Sequence, residues 1–448
     1  MGTGTGTTIF AVSSGAVPAG IAVVRVSGPG VRSVLETLID SVPEPRRAVL
    51  RWLRGTDGAP IDRGLALFFP GPASMTGEDV AEFHLHGGRA VVAAVLGQLG
   101  ALPGLRPAEA GEFTRRAFLN GRMDLTEVEG LADLIAAETE AQRRQALRQA
   151  SGSLRSVSEG WLQRLVRARA LVEAELDFAD EADVPGSVSD LAWAEANDVA
   201  MDIGRHLDDQ HRGERLRDGA EIVVLGPVNA GKSSLVNALV KRDVAIVSRE
   251  PGTTRDLIEV RLDVGGYPFT LIDTAGLRET QGEVEREGIR RARARAAAAD
   301  VVLVLDDVTA RPEAPGGDGP SYDALLLTVG TKIDLIDSIA ERARLANGYD
   351  VLLSAKSGEG LDALFGRLGD FAKDRMQPTE ASLVTRARHR SALAACRDAL
   401  VRAGKVSEPI ELRAEDLRLA TDALGRLTGR VDVEDLLDVI FRDFCIGK

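Results

Sequence analysis

Residues 221–235 read EIVVLGPVNAGKSSL, and the part able to do chemistry is Gly226-x-x-x-x-Gly231-Lys232-Ser233. This is the Walker A spacing: glycines let the backbone curl so that its N–H groups face phosphate oxygens, Lys232 reaches the β- and γ-phosphates, and Ser233 ligates Mg²⁺. The apolar run 222–225 before it reads as a strand covered on both faces in a parallel sheet. Residues 234–242 read as a helix whose positive end points at the anion.

Four further segments follow in the order and spacing of a guanine-nucleotide hydrolase. Thr253-Thr254-Arg255-Asp256 takes the place of a switch loop, and Asp273-Thr274-Ala275-Gly276 ends the apolar run 269–272. There the carboxylate can hold Mg²⁺ through water and Gly276 can offer its N–H to a γ-phosphate. Thr331-Lys332-Ile333-Asp334 follows a buried strand at 324–329, and the Asp334 carboxylate can accept from the paired N1–H and N2–H₂ donors that guanine has and adenine lacks. Ser354-Ala355-Lys356 ends the strand 351–353 and completes the base pocket.

These motifs need a large scaffold, and the chain of 448 residues is long enough for about three domains. It is 44% hydrophobic but only 4% aromatic, which supports cores and leaves few rings to stack on bases. A net charge of −13 repels a phosphate backbone, so contact with RNA must be local or supplied by a partner. No signal-peptide start and no apolar run of 18 residues occurs, so the expectation is a cytoplasmic protein with no membrane association. Cys396 and Cys445 have no metal or redox spacing and read as inert thiols.

Residues 1–118 read as mixed α/β, with a strand at 21–26, a turn at 27–30 and a helix at 31–40. In a strand at 80–86, Glu82, His84 and His86 share one face and Ala81, Phe83 and Leu85 the other; the polar face suits a cleft or, less readily, a metal. From 127 to about 215 the Ala-, Leu-, Glu- and Arg-rich chain is helical, with a single clear interruption at 180–190. Helical composition returns at 385–444. A Pro/Gly-rich stretch at 309–321 reads as a surface loop, and the four arginines within 290–295 as a solvated helix face or an RNA patch. The expected architecture is multidomain, α/β and α. A mixed α/β domain (1–118) precedes a helical domain in two parts (119–215 and 377–448), into which a Ras-like P-loop GTPase domain (216–376) is inserted.

The residues resemble the tRNA modification GTPase family called MnmE or TrmE. The likeness rests on 226–234, Gly252 to Asp256, Asp273 to Arg278, Thr76 to Val80 with His86-Gly87-Gly88, Gly111-Glu112-Phe113 through Asp124-Leu125, and the ending Phe444-Cys445-Ile446-Gly447-Lys448. It implies GTP contacts from Asn229, Ala230, Gly231, Lys232, Ser233 and Ser234. Further contacts would come from Ser248, Arg249, Glu250, Pro251, Gly252, Thr253 and Thr254, from Asp273, Thr274, Ala275 and Gly276, and from Thr331, Lys332, Asp334, Ser354, Ala355 and Lys356. Mg²⁺ would be held by Ser233 and Thr254, and K⁺ by Asn229, Ser248, Glu250 and Thr253, the K⁺ acting as an arginine finger would. Leu277 cannot orient water, and the resemblance assigns that role to Glu285.

The resemblance further implies addition of an aminomethyl or carboxymethylaminomethyl group at C5 of the wobble uridine of tRNA. The partner would be the flavoprotein GidA (MnmG), in a heterotetramer built on a homodimer, and a 5-formyl-tetrahydrofolate would be bound by Arg25, Glu82, Arg122 and Lys448. Arg122 stands where relatives carry lysine, and Thr331 where asparagine is usual, which removes a side-chain amide. The rival reading is a regulatory GTPase switch for RNA or ribosome assembly without folate chemistry. Such switches append a basic RNA-binding module, and none is visible here.

Overall fold

The computed structural model describes residues 6–177, 188–242, 245–246, 259–272, 295–310, 324–379, 382–431 and, further on, 437, 440–441, 444 and 447. The chain divides into two compact units, the first made of Met1–Ala132, Ala150–Val166 and Arg418–Lys448, the second of Asp133–Gln149 and Arg167–Leu417.

The first unit is built on a six-stranded sheet of order β3-β4-β5-β2-β1-β6, made by β1 (Thr8–Val12), β2 (Ala19–Ser27), β3 (Val49–Arg54), β4 (Pro60–Phe69), β5 (Val80–Gly87) and β6 (Leu105–Pro107). Alternation sorts its faces: Ala81, Phe83 and Leu85 of β5 are buried, while Glu82 and His84 are half-exposed and His86 exposed, as the sequence period requires. The buried face packs on helices α1 (Val31–Ile39) and α2 (Arg89–Ala101). In α1 the buried residues Val31, Val34, Leu35, Leu38 and Ile39 recur at the spacing of one helical stripe. Helix α3 (Glu112–Leu119) follows. At α4 (Leu125–Ala136) a reciprocal cap forms: the Asp124 N–H donates to Glu127 Oε2 at 2.8 Å and the Glu127 N–H to Asp124 Oδ1 at 2.9 Å.

The second unit carries a seven-stranded sheet of order β13-β12-β11-β7-β10-β9-β8. Five strands run parallel: β7 (Ala220–Leu225), β10 (Tyr267–Ile272), β11 (Val301–Asp307), β12 (Leu325–Thr331) and β13 (Val351–Leu352). β9 (Glu259–Val264) and β8 (Ala245–Ile246) extend one edge antiparallel. β7 lies between β10 and β11, which explains its unbroken apolar run Ile222 to Leu225. Helices α9 (Lys232–Val240), α10 (Ile339–Ala346) and α11 (Leu361–Arg375) accompany this sheet. α9 begins two residues before the expected helix and ends two before its expected end.

The helical stretch is more broken than the expected single interruption at 180–190. It comprises α5 (Glu140–Ala150), α6 (Ser153–Asp177), α7 (Val188–Leu207) and α8 (Arg212–Asp218), with α12 (Ala387–Ala403) and α13 (Ile410–Thr428) after the second sheet. Two of the missed breaks, those before α5 and α6, have local causes. The Gln142 side-chain carbonyl accepts from the N–H groups of Glu138 and Thr139 at 3.1 Å each, starting α5, and Gly152 turns at φ +82° before α6.

One ion network holds the first unit's non-helical loop 70–79. Arg116, 4% exposed, donates to Glu78 Oε2 at 2.9 Å and to Glu112 Oε1 at 3.0 Å, and Arg106 reaches Glu112 Oε1 at 2.6 Å. Burial alone would raise the Glu112 carboxyl, but hydrogen bonds from Arg106, the Glu109 N–H and Arg116 outweigh it and hold it below its ordinary 4.5. Arg116→Met should therefore cost about 3 kcal/mol in urea unfolding at pH 7, since two carboxylates lose a buried partner. The Glu112 contribution is complete above the ordinary carboxylate range and is lost as pH falls through its lowered folded value, so the gap between wild type and variant should shrink in acid. A gap unchanged from pH 7 to pH 3 would contradict this role.

Candidate functional site

The phosphate loop leaves β7 at Gly226, whose φ is +148°, and a Cβ there would stand 2.4 Å from the Leu305 carbonyl oxygen of β11. Only glycine passes so close to the neighbouring strand. Asn229 at φ +65° and Gly231 at φ +91° complete the curl, and Gly231 is the N-cap of α9. Lys232 folds back over the loop, its ammonium donating to the carbonyls of Gly226 and Pro227 at 2.9 Å each. Asn229, Ser233 and Ser234 are exposed and Ala230 is buried. The loop thus carries a cation, an exposed hydroxyl and successive helix-start N–H groups, a set suited to a polyphosphate with a divalent ion.

The base motif lies at the same edge of the sheet. Thr331 ends β12, and its buried hydroxyl faces the Ala230 carbonyl at 2.8 Å and the Asp306 carbonyl at 3.0 Å. The expected loss of an amide at this position is therefore only part of the picture, because the threonine hydroxyl ties the base motif to the phosphate loop. Lys332, at φ +62°, donates to Asp307 Oδ2 at 2.5 Å. Burial would raise the Asp307 carboxyl, but Lys332 and Thr309 hold it below its ordinary value. Asp334, half-exposed, sits in the 3₁₀ turn Ile333–Leu335. Arg342 of α10 clamps that turn, donating to the carbonyls of Ile333 at 2.9 Å and Ile336 at 2.7 Å and pairing with Glu359 at 2.8 Å. Ser354 is buried, with its Oγ accepting from the Ser357 N–H at 3.1 Å, while Ala355 is half-buried and Lys356 exposed.

Ser248 to Thr254, Asp273 to Gly276, Glu285 and Lys448 lie outside the described residues, as do most of the stretch 309–321 and all but Arg295 of 290–295.

A second site occupies the first unit. A cavity of about 380 Å³ is lined by Arg25, Arg46, Phe69, Ala73, Ser74, Met75, Val80, Glu82 and Arg122, so three of the four folate-site residues named from sequence come together. Arg25 and Glu82 are register partners on β2 and β5, joined at 2.9 Å. Arg122 donates to the Ser74 carbonyl at 3.2 Å, and Arg46 to the Ala73 carbonyl. Three guanidinium groups, one carboxylate and the apolar walls of Phe69, Met75 and Val80 suit a flat, partly anionic small molecule. Sequence reading missed Arg46 and Met75, which no motif spacing connects to Arg25. His84 and His86 do not form a metal site: His84 Nε2 lies 3.4 Å from Glu82 Oε2 and His86 Nδ1 2.8 Å from Asp62 Oδ1, and the described residues contain no cluster of three metal-ligating groups.

A family model described as the MnmE helical domain matches residues 125–445, and one described as the GTP-binding protein TrmE N-terminus matches residues 8–122. The tRNA modification GTPase MnmE of Brucella anthropi is 55% identical over 442 residues, 98% of either chain. That of Mesorhizobium japonicum is 54% identical over 445 residues, 99% of either chain. Among solved structures, an Aquifex aeolicus Era variant bound to GDP and AlF₄⁻ is 23% identical, with TM-score 0.28 over 40% of this chain and 66% of that one. The G domain of the T. maritima FeoB iron transporter is 23% identical, with TM-score 0.24 over 34% of this chain and 98% of that one.

The hydroxyl tie makes Thr331→Val a direct probe, since valine keeps the shape and removes the donor. Release of a fluorescent guanine nucleotide should quicken about tenfold, equivalent to about 1.4 kcal/mol, with the melting curve little changed. An unchanged release rate would show that the tie does not restrain the phosphate loop.

Proposed function

The chain belongs to the MnmE family of tRNA modification GTPases, and we propose that it couples GTP hydrolysis to addition of an aminomethyl or carboxymethylaminomethyl group at C5 of the tRNA wobble uridine. It is a GTPase, and the observation that carries the reading is the meeting, at one sheet edge, of the Gly226 to Ser233 loop with the guanine motif through the Thr331 hydroxyl. Lys232 and the helix-start N–H groups hold the phosphates, and Asp334 and Ser354 serve the base. Ser233 with Thr254 would hold Mg²⁺, and Asn229 with Ser248, Glu250 and Thr253 would hold K⁺; these ions neutralise charge that builds on the phosphate oxygens. Glu285, to which the family resemblance assigns the role, would orient the attacking water.

In the first unit, Arg25, Glu82 and Arg122 would bind a 5-formyl-tetrahydrofolate together with Lys448. The cavity supports this: Glu82 can accept from the amino edge of a pterin, and Arg46 and Arg122 can meet carboxylates. A flavoprotein of the GidA (MnmG) kind would supply the redox chemistry. The open face of the first sheet supports a homodimer. Leu50 and Leu65 are register partners, Trp52 is 50% and Ile21 64% exposed, and a second copy would cover this apolar surface. No described helix is long and apolar enough to cross a membrane.

Steady-state GTP hydrolysis in KCl and in NaCl at equal ionic strength tests the cation site. Rates should be at least tenfold higher in K⁺, and Glu285→Ala should abolish most turnover while leaving GTP affinity within about twofold. Equal rates in the two salts would remove K⁺ from the account, and full turnover in Glu285→Ala would remove that residue. Trp52→Glu should convert a sedimenting dimer to monomer; a dimer of undiminished stability would place the interface elsewhere.

A further inference from the structure

The two acids that end β11 are taken by different partners. Successive residues of a strand face opposite sides of the sheet, so Asp306 and Asp307 point apart. Asp307 accepts from Lys332 of the base motif, whereas Asp306 Oδ2 accepts from the phenol O–H of Tyr349 at 2.7 Å, 43 positions further on between α10 and β13. Tyr349 is half-buried against the cluster of Val308, Ile333, Ile336 and Leu345. Burial, and then the Asp306 carboxylate, push its phenol up to about 12, so it remains a donor throughout the neutral range. The ring is also fitted to the neighbouring strand. A Cβ on Gly330 of β12 would lie 3.2 Å from Tyr349 Cδ2 and 2.7 Å from Val308 Cγ1, and Gly330 is the register partner of Asp306 and the residue before Thr331. Tyr349 therefore bonds one strand end and packs on the other where the base motif begins. The main-chain carbonyl of Asp306 faces the Thr331 hydroxyl at 3.0 Å, so whatever fixes Asp306 also fixes an oxygen to which the motif is tied.

We infer that Tyr349 is a positioning residue for guanine recognition: through Asp306 it braces the end of β11 against β12 and so holds the turn carrying Asp334 where its carboxylate meets the base. That Asp334 serves the base rests on the reading given under Proposed function; the brace itself rests on the phenol bond and the Gly330 contact. Removing the hydroxyl while keeping the ring leaves the half-buried Asp306 carboxylate short of a donor, and one such bond shifts an equilibrium about fivefold. Inosine diphosphate has the phosphates, the ribose and the N1–H of GDP but no 2-amino group. The preference for GDP over inosine diphosphate therefore reads the aim of Asp334, which a general weakening of the domain would leave alone.

The test is equilibrium binding of GDP and of inosine diphosphate to nucleotide-free, full-length protein, with a thermal melt to verify folding. It compares wild type with Tyr349→Phe, Asp306→Ala, Asp306→Asn and the double variant Tyr349→Phe/Asp306→Ala. Tyr349→Phe and Asp306→Ala should each weaken GDP about fivefold and inosine diphosphate less than twofold. Asp306→Asn keeps an oxygen for the phenol and should stay within about twofold of wild type, and the double variant should be no weaker than either single one. Unchanged GDP affinity in Tyr349→Phe would overturn the proposal. Equal losses for the two nucleotides would overturn the positioning role, and additive losses in the double variant would overturn the route through Asp306. If wild type itself holds the two nucleotides equally, it is the Asp334 reading that fails, and the brace then stands or falls on whether the GDP losses of Tyr349→Phe and Asp306→Ala fail to add.

Discussion

The nucleotide half of this protein depends on how closely the chain can pass its own neighbour at Gly226. β7 is sandwiched between β10 and β11, so the loop that leaves it must turn within reach of the Leu305 carbonyl, where a Cβ would come to 2.4 Å. That constraint places the loop at the carboxyl edge of the sheet, where parallel strands also deliver Thr331 and Ser354. A parallel sheet whose strands all end at one rim brings motifs a hundred residues apart into one site. The Thr331 hydroxyl then joins two of them by a single buried contact to Ala230.

The first unit solves a different problem, that of holding charged groups around a cavity without leaving them unpaired. Register does part of it, since Arg25 and Glu82 are opposed on adjacent strands. The Arg116 network does the rest by fixing Glu78, which also accepts from Ser27 at 2.8 Å, so the loop that contributes Ser74 and Met75 is held at its far end.

Much of this was legible from sequence where local spacing carries the information. The Walker A loop, the β5 alternation and the helix at 31–40 follow from side-chain chemistry at fixed intervals, and the helical, mixed and P-loop architecture follows from their order. Three things were not legible. The breaks before α5 and α6 turn on one glutamine side chain and one glycine, which composition averages away. Arg46 and Met75 join Arg25 only through the fold of the sheet, since nothing in their spacing links them. Thr331 read as a lost amide because its acceptor, Ala230, lies 101 positions earlier.

The central claim is that one chain holds two separate ligand sites, one for guanine nucleotide in the second unit and one, proposed for a reduced folate, in the cavity of the first. Isothermal titration of the same full-length sample with a non-hydrolysable GTP analogue and then with 5-formyl-tetrahydrofolate tests it most directly. The account predicts one site per chain for each ligand, no displacement of either by the other, and no competition from the ATP analogue. Competition between the two ligands, or equal binding of the adenine and guanine analogues, would contradict it.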